Sequence, residues 1–213
     1  MFPLGKVLVP GEILPLHVFE PRYRQLVVDL LADDDRPPEF GVVLIERGWE
    51  VGGGDARSDV GTIARIVDVQ AFDGGRYGLL TLGVRRVRVV AWRDDDPYPR
   101  ADVEDWIDEP ADEDLGERLA ATARRIRDIR VRAVAAAEAA AGDQTQAGPP
   151  DGPDGDVADP VLASYRLTAV APIGPADAYR ALCAPGPGAR LDVLSASLDD
   201  VEAMLRFRLG DGA

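Results

Sequence analysis

The stretch Phe2-Pro3-Leu4-Gly5-Lys6-Val7-Leu8-Val9-Pro10-Gly11-Glu12-Ile13-Leu14-Pro15-Leu16-His17-Val18-Phe19-Glu20-Pro21-Arg22-Tyr23 opens the chain and decides how the rest is read. Its two apolar runs, Val7–Val9 and Ile13–Phe19, flank Pro10-Gly11. That dipeptide favours a tight turn, because Pro presets φ and Gly accepts φ > 0. The spacing predicts two strands joined by the turn. Glu20-Pro21 then predicts a helix start: Pro fits the first helical position, where an N–H would be an orphan anyway, and Glu20 puts negative charge at the positive end of the helix dipole. Tyr23, Leu26, Val27, Leu30 and Leu31 fall on one helical face.

Further along, Val42-Val43-Leu44-Ile45 predicts a buried strand within Phe40–Glu46. The glycine-rich, polar stretch from Trp49 to Asp59 reads as a mobile loop. Gly61–Phe72 alternates, Asp73-Gly74-Gly75 supplies the positive-φ residues of a hairpin, and Tyr77–Val84 returns. Arg85–Arg93 places Val87, Val89 and Ala91 on one strand face and Arg86, Arg88, Val90 and Trp92 on the other, one core and one wet. Tyr98–Trp106 is the last strand candidate. Six or seven strands with one early helix predict a curved antiparallel sheet or small barrel.

The remainder is helical. Leu115, Leu119, Thr122, Ile126, Ile129 and Ala133 form an amphipathic stripe within Asp112–Ala141. Gly142–Asp156 is too poor in apolar residues to offset its chain entropy and reads as a disordered linker. Asp159-Pro160 and Gly174-Pro175 are helix starts, and Leu191, Leu194, Leu198, Val201 and Leu205 mark the core face of a last helix.

This pattern, above all the opening phrase, resembles the Lon N-terminal, or substrate-binding, domain family. The resemblance continues through Val60-Gly61-Thr62-Ile63-Ala64, Asp73-Gly74-Gly75-Arg76, Leu82-Gly83-Val84-Arg85-Arg86 and the C-terminal helices to Arg190-Leu191, and fails between about Ala111 and Asp159. It implies an α+β fold: a PUA-like β pseudo-barrel over residues 1–110, then a C-terminal helical bundle over 111–213 with the disordered linker at about 142–156. It also implies recognition of unfolded or extended polypeptide by a stand-alone member of the family, an adaptor or partner of a protease or chaperone in protein quality control. Weak self-association is compatible with that reading. The alternative is a PUA-like RNA-binding module.

Composition narrows the chemistry. A formal net charge of −14 repels phosphate backbones, so nucleic acid is a disfavoured partner. One cysteine, Cys183, excludes an internal disulfide or a cysteine zinc cluster and is expected to be core. One histidine, His17, excludes a multi-histidine metal site and is expected to be structural, hydrogen-bonded at the strand edge. With no G-x-x-x-x-G-K-[ST] string there is no phosphate cradle. Lys6, the single lysine, sits in no dyad context with Ser58, Ser164, Ser195 or Ser197. The expectation is therefore a non-catalytic protein with no cofactor and no metal. With no leader-like segment and no apolar run of ~20 residues, it is expected to be cytoplasmic and not membrane-inserted. The basic and aromatic concentration Arg86, Arg88, Trp92 and Trp106 is the candidate polypeptide-contact surface.

Overall fold

The computed structural model describes residues 1–48, 54, 56–141 and 159–209. The chain divides into two compact units, 1–107 and 108–213. The expected linker at 142–156 lies outside the described residues, as do 49–53 and 55 of the expected loop at 49–59; the rest of that loop expectation is corrected at 56–59, which are already strand, paired with β3.

In the first unit the strands are β1 (Phe2–Leu4), β2 (Ile13–Val18), β3 (Glu39–Arg47), β4 (Ala56–Phe72), β5 (Arg76–Arg93) and β6 (Arg100–Asp105), with helix α1 (Pro21–Leu31) between β2 and β3. They hydrogen-bond in the order β1-β3-β4-β5-β2, and β6 also pairs with β5. The sheet is mixed: β1 lies parallel to β3, and the other ladders are antiparallel. Its path does not return on itself, which corrects the expectation of a barrel. β5 spends one edge on β4 and divides the other between β2 and β6, so β1 and β2 remain ends.

The opening phrase folds partly as its spacing predicts. Pro10-Gly11 is a turn, with Gly11 at φ 82° and the Glu12 N–H donating to the Val9 carbonyl at 3.1 Å. Val7–Val9 is not a strand; Phe2–Leu4 is. The 7–9 segment is instead a buried extended crossing, held where the Thr62 hydroxyl donates to the Leu8 carbonyl at 2.6 Å and the Val9 N–H donates to Glu12. Gly83 permits this crossing, because a Cβ there would stand 2.3 Å from the Val9 carbonyl oxygen. Helix α1 starts at Glu20-Pro21 as expected and buries Tyr23, Leu26 and Val27 against one side of the sheet; Leu31 is exposed. The core there joins Phe2, Leu14, Val18, Phe40, Val42, Ala64, Ile66 and Leu79, with Phe2 stacked on Tyr23 at 4.0 Å.

The second unit holds α2 (Leu115–Ala141), α3 (Pro160–Val170), α4 (Pro175–Leu182) and α5 (Pro187–Leu209). Leu115, Ile126, Ile129, Leu167, Ala181, Leu191, Leu194, Leu198 and Leu205 form one apolar core. The Asp159 side chain accepts from the Val161 N–H at 2.9 Å, the cap that Asp159-Pro160 announced. Cys183 is the C-cap residue of α4 and only half-buried, because the helix ends there. At the centre of this unit Arg190 is fully buried. It donates to Asp108 at 2.5 Å, to the Ser164 hydroxyl at 2.6 Å and to the Ala181 carbonyl at 3.2 Å, and it stacks on Tyr165 at 3.5 Å.

Candidate functional site

Residues opposite one another across a ladder share a face, so the pairing register sorts the sheet into two sides. One side carries Leu14, Leu16 and Val18 from β2 and lies on the core with α1. The other carries Ile13, Pro15 and His17, opposite Leu82, Leu80 and Gly78 of β5. Across β5 it continues onto Asp68 (opposite Leu80), Gln70 (opposite Gly78) and Phe72 (opposite Arg76).

This outward side carries a cluster of exposed apolar side chains among a few polar ones. Ile13 is 60% exposed, Phe19 51%, Phe72 41% and Leu80 38%, and Val67 stands out from a β-bulge in β4 beside them. His17 lies between rings, 6.0 Å from Phe19 and 6.2 Å from Phe72. It is exposed and not the hydrogen-bonded edge histidine that its strand position suggests. Gly78 seats the Phe72 ring, since a Cβ there would come within 3.1 Å of it. Such a surface is held in place before anything binds, and a scattered exposed leucine would not have that property.

The rim is charged but largely neutralised. Glu39 accepts from Arg65 at 2.7 Å and from Arg85 at 2.6 Å, and Arg85 reaches Asp105 at 3.0 Å. Arg65 lies opposite Leu82 in the register, so this ion-pair row borders the apolar side. Burial pushes the Glu39 carboxyl up, but the hydrogen bonds from Arg85 and Arg65 outweigh it and hold the group below its usual range. Lys6 pairs with Glu12 and Arg22 with Glu20 at the two ends of β2. Among the described residues β2 pairs only with β5, and Pro15 leaves its free edge without one N–H.

The four residues singled out from the sequence do not form one row. A bulge at Val90 inserts an extra residue in β5 opposite β6, so Val89 faces Val103 and Trp92 faces Ala101. Trp92 therefore shares a face of β5 with the fully buried Val87 and the half-buried Val89, while Arg86 and Arg88 lie on the other. Trp92 stacks under Arg57 at 5.1 Å, and its indole N–H donates to Asp59 at 3.3 Å. Arg86 and Arg88 close on Trp106, at 4.0 and 3.5 Å from its ring. Arg86 is only 2% exposed and donates to the Trp106 carbonyl at 3.3 Å, which corrects the picture of a wholly wet arginine face. The sequence reasoning missed Ile13, Phe19, Phe72 and Leu80. Their signal was present: β2 is apolar at both parities, more than one core side needs.

Comparison with known proteins gives this surface its context. Residues 1–200 match the model of the ATP-dependent protease La (LON) substrate-binding domain. The chain belongs to the Lon substrate-binding domain family. Among curated relatives, Lon protease 2 of Myxococcus xanthus is 32% identical over 139 residues, 62% of this chain and 16% of that protein. Lon protease of Anaeromyxobacter dehalogenans is 32% identical over 101 residues, 47% of the chain and 12% of its own length. The chain thus spans under a fifth of these proteins. A crystal structure of a Lon N-terminal domain protein from Xanthomonas campestris shares 25% identity at a TM-score of 0.59, covering 92% of this chain and 95% of its own. The N-terminal domain of a Mycobacterium avium complex Lon protease shares the fold at a TM-score of 0.60 and 16% identity, covering 93% and 97%. No group of three His, Cys, Asp or Glu among the described residues is placed to hold a metal ion, and no described helix is long and apolar enough to cross a membrane.

Proposed function

We propose that this Lon-family chain recognises unfolded or extended polypeptide on the outward side of its sheet. It has no catalytic chemistry of its own in this reading, and it serves a protease or chaperone as adaptor or partner. The observation that carries the reading is the exposed aliphatic and aromatic side built from Ile13, Phe19, Phe72 and Leu80. An exposed apolar surface of this kind, rimmed by ion pairs, is a common form of protein-binding site. Pro15 disfavours main-chain strand addition along β2, so affinity comes chiefly from side-chain burial. Trp92, on the β5 face of Val87 and Val89, and the Arg88–Trp106 stack on the other are secondary contacts, with Arg86 positioning Trp106. The RNA-binding alternative gains no support from the family match, and Arg57, Arg65, Arg85, Arg86, Arg88 and Arg93 of the sheet are engaged by carboxylates or indole rings. The two units act as separate domains in this account.

The test is fluorescence anisotropy with a labelled, reduced and carboxymethylated polypeptide. Truncating an aromatic anchor costs ~2 kcal/mol or more, about thirtyfold in affinity. Phe72→Ser and Ile13→Ser are expected to weaken capture on that scale with unchanged melting, since both side chains are exposed. Normal capture by both variants would remove the surface from consideration. Trp92→Ala, Arg88→Ala and Trp106→Ala measure the secondary contacts in the same assay, and turnover of ATP or casein by the purified chain would contradict the non-catalytic reading.

A further inference from the structure

The carboxylate of Asp68 stands on the outward side directly opposite Leu80, between the exposed Val67 and the half-buried Val69. It is exposed, and no cation pairs with it among the described residues. Three acids that border the surface contrast with it: Glu12 is held by Lys6, Glu20 by Arg22, and Glu39 by two arginines. Asp73, at the hairpin turn, has no ion pair either, since the Arg76 Nε donates to its backbone carbonyl at 3.1 Å, but it stands at the tip of the hairpin and not between the apolar side chains. Among the described residues Asp68 is thus a strand carboxylate without an ion pair in the middle of this side, in a chain whose formal net charge is −14. A long-range negative potential steers cations toward the molecule, and a local unpaired carboxylate gives them somewhere to stop.

We infer that the outward side selects apolar segments flanked by lysine or arginine, and that Asp68 is the residue that reads the flanking charge. This rests on the polypeptide reading above and specifies its substrate class. An apolar side chain of the segment covers Leu80 and Phe72. A basic neighbour one or two positions away then reaches the Asp68 carboxylate, because successive side chains of an extended segment alternate and same-side positions recur at ~6.6 Å. Acidic flanks meet the same carboxylate as a like charge, and the whole-chain potential adds to the repulsion. The selection is thus one of charge around an apolar anchor, and it weakens with salt, because an exposed contact of this kind is screened within a Debye length of ~10 Å at 0.1 M.

Three synthetic fluorescent peptides with the same apolar core and flanks of lysine, serine or glutamate test it by anisotropy at low and at high ionic strength. At low salt the lysine-flanked peptide is expected to bind roughly tenfold tighter than the glutamate-flanked one, with serine between, since each exposed charge contact is worth up to a few-fold. Asp68→Asn is expected to narrow that spread and Asp68→Lys to abolish or invert it, while both variants keep wild-type affinity for the serine-flanked peptide and a wild-type melting curve. Equal binding of all three peptides, or an order unchanged in Asp68→Lys, would overturn the selection and leave polypeptide recognition standing. Failure of all three peptides to bind would overturn both. A dimer in light scattering that Ile13→Asp dissociates would assign the surface to a second copy of the chain and overturn the selection too.

Discussion

Replacing Asp108 by Ala should unfold the helical unit more readily than any surface change, and the size of the effect follows from what it strands. Arg190 is fully buried, and Asp108 is its only charged partner among the described residues; the carboxylate also accepts from the Tyr165 hydroxyl at 2.8 Å. Ser164 and the Ala181 carbonyl remain after the substitution, but they are neutral and do not compensate a guanidinium out of water. Breaking a buried pair by removing one partner costs ~3–5 kcal/mol, much of it the stranded charge. With a urea slope of ~2 kcal/mol/M, that moves the denaturation midpoint down by about 2 M. Tyr165→Phe deletes one hydrogen bond and should cost only ~1 kcal/mol. The double variant Asp108→Leu, Arg190→Met removes both charges and should recover much of the single variant's loss, because apolar replacements avoid the desolvation penalty. The assay is urea unfolding followed by circular dichroism at 222 nm. A cost below ~1 kcal/mol for Asp108→Ala, or a double variant as unstable as the single, would refute the assignment of Arg190 as a charge that depends on Asp108.

Gly83→Ala would place a Cβ 2.3 Å from the Val9 carbonyl oxygen, so backbone must move; a loss of ~2–4 kcal/mol by thermal melting is expected, against a near-neutral result for Gly116→Ala, where nothing lies within 4 Å. Stability should also fall in acid. Burial raises the Glu39 pKa, yet its hydrogen bonds from Arg85 and Arg65 leave it lowered from the usual 4.5; for Glu202, the hydrogen bond from Arg125 is the leading cause of a lowered value. Because these folded pKa values lie below the unfolded ones, the unfolded chain takes up protons first. The contribution is complete above about pH 5 and is lost as pH drops through the lowered values. Glu39→Gln should flatten the acid limb of a melting-temperature profile; an unchanged profile would show that the Arg65–Glu39–Arg85 row contributes no pH-dependent stability.

What the sequence disclosed was local chemistry. Pro10-Gly11, Glu20-Pro21, Asp159-Pro160 and Gly174-Pro175 each fix a turn or helix start through their own backbone preferences, and each is where the spacing placed it. The core stripes of α1, α2 and α5 were legible for the same reason, since period and burial agree. Features that depend on partners distant in sequence were not. Phe2–Leu4 becomes a strand because β3 offers it an edge, and Val7–Val9 fails to become one although its residues favour it. The one-residue bulge at Val90 carries Trp92 to the side opposite Arg88, because strand period is two and a single insertion inverts every later side chain. The Arg190–Asp108 pair spans 82 residues and has no local signature. The apolar outward side escaped notice for a related reason: each strand contributes only one or two of its residues, and only the register of three strands assembles them.

The most direct test of polypeptide recognition on the outward side is photo-crosslinking with an extended apolar peptide carrying a benzophenone, followed by peptide mapping. The account predicts adducts within Ile13–Phe19 and Phe72–Leu82, lost when excess unlabelled peptide competes and reduced in Phe72→Ser. Adducts confined to residues 100–106, or to 108–209, with none on β2 or the β4–β5 hairpin, would contradict it.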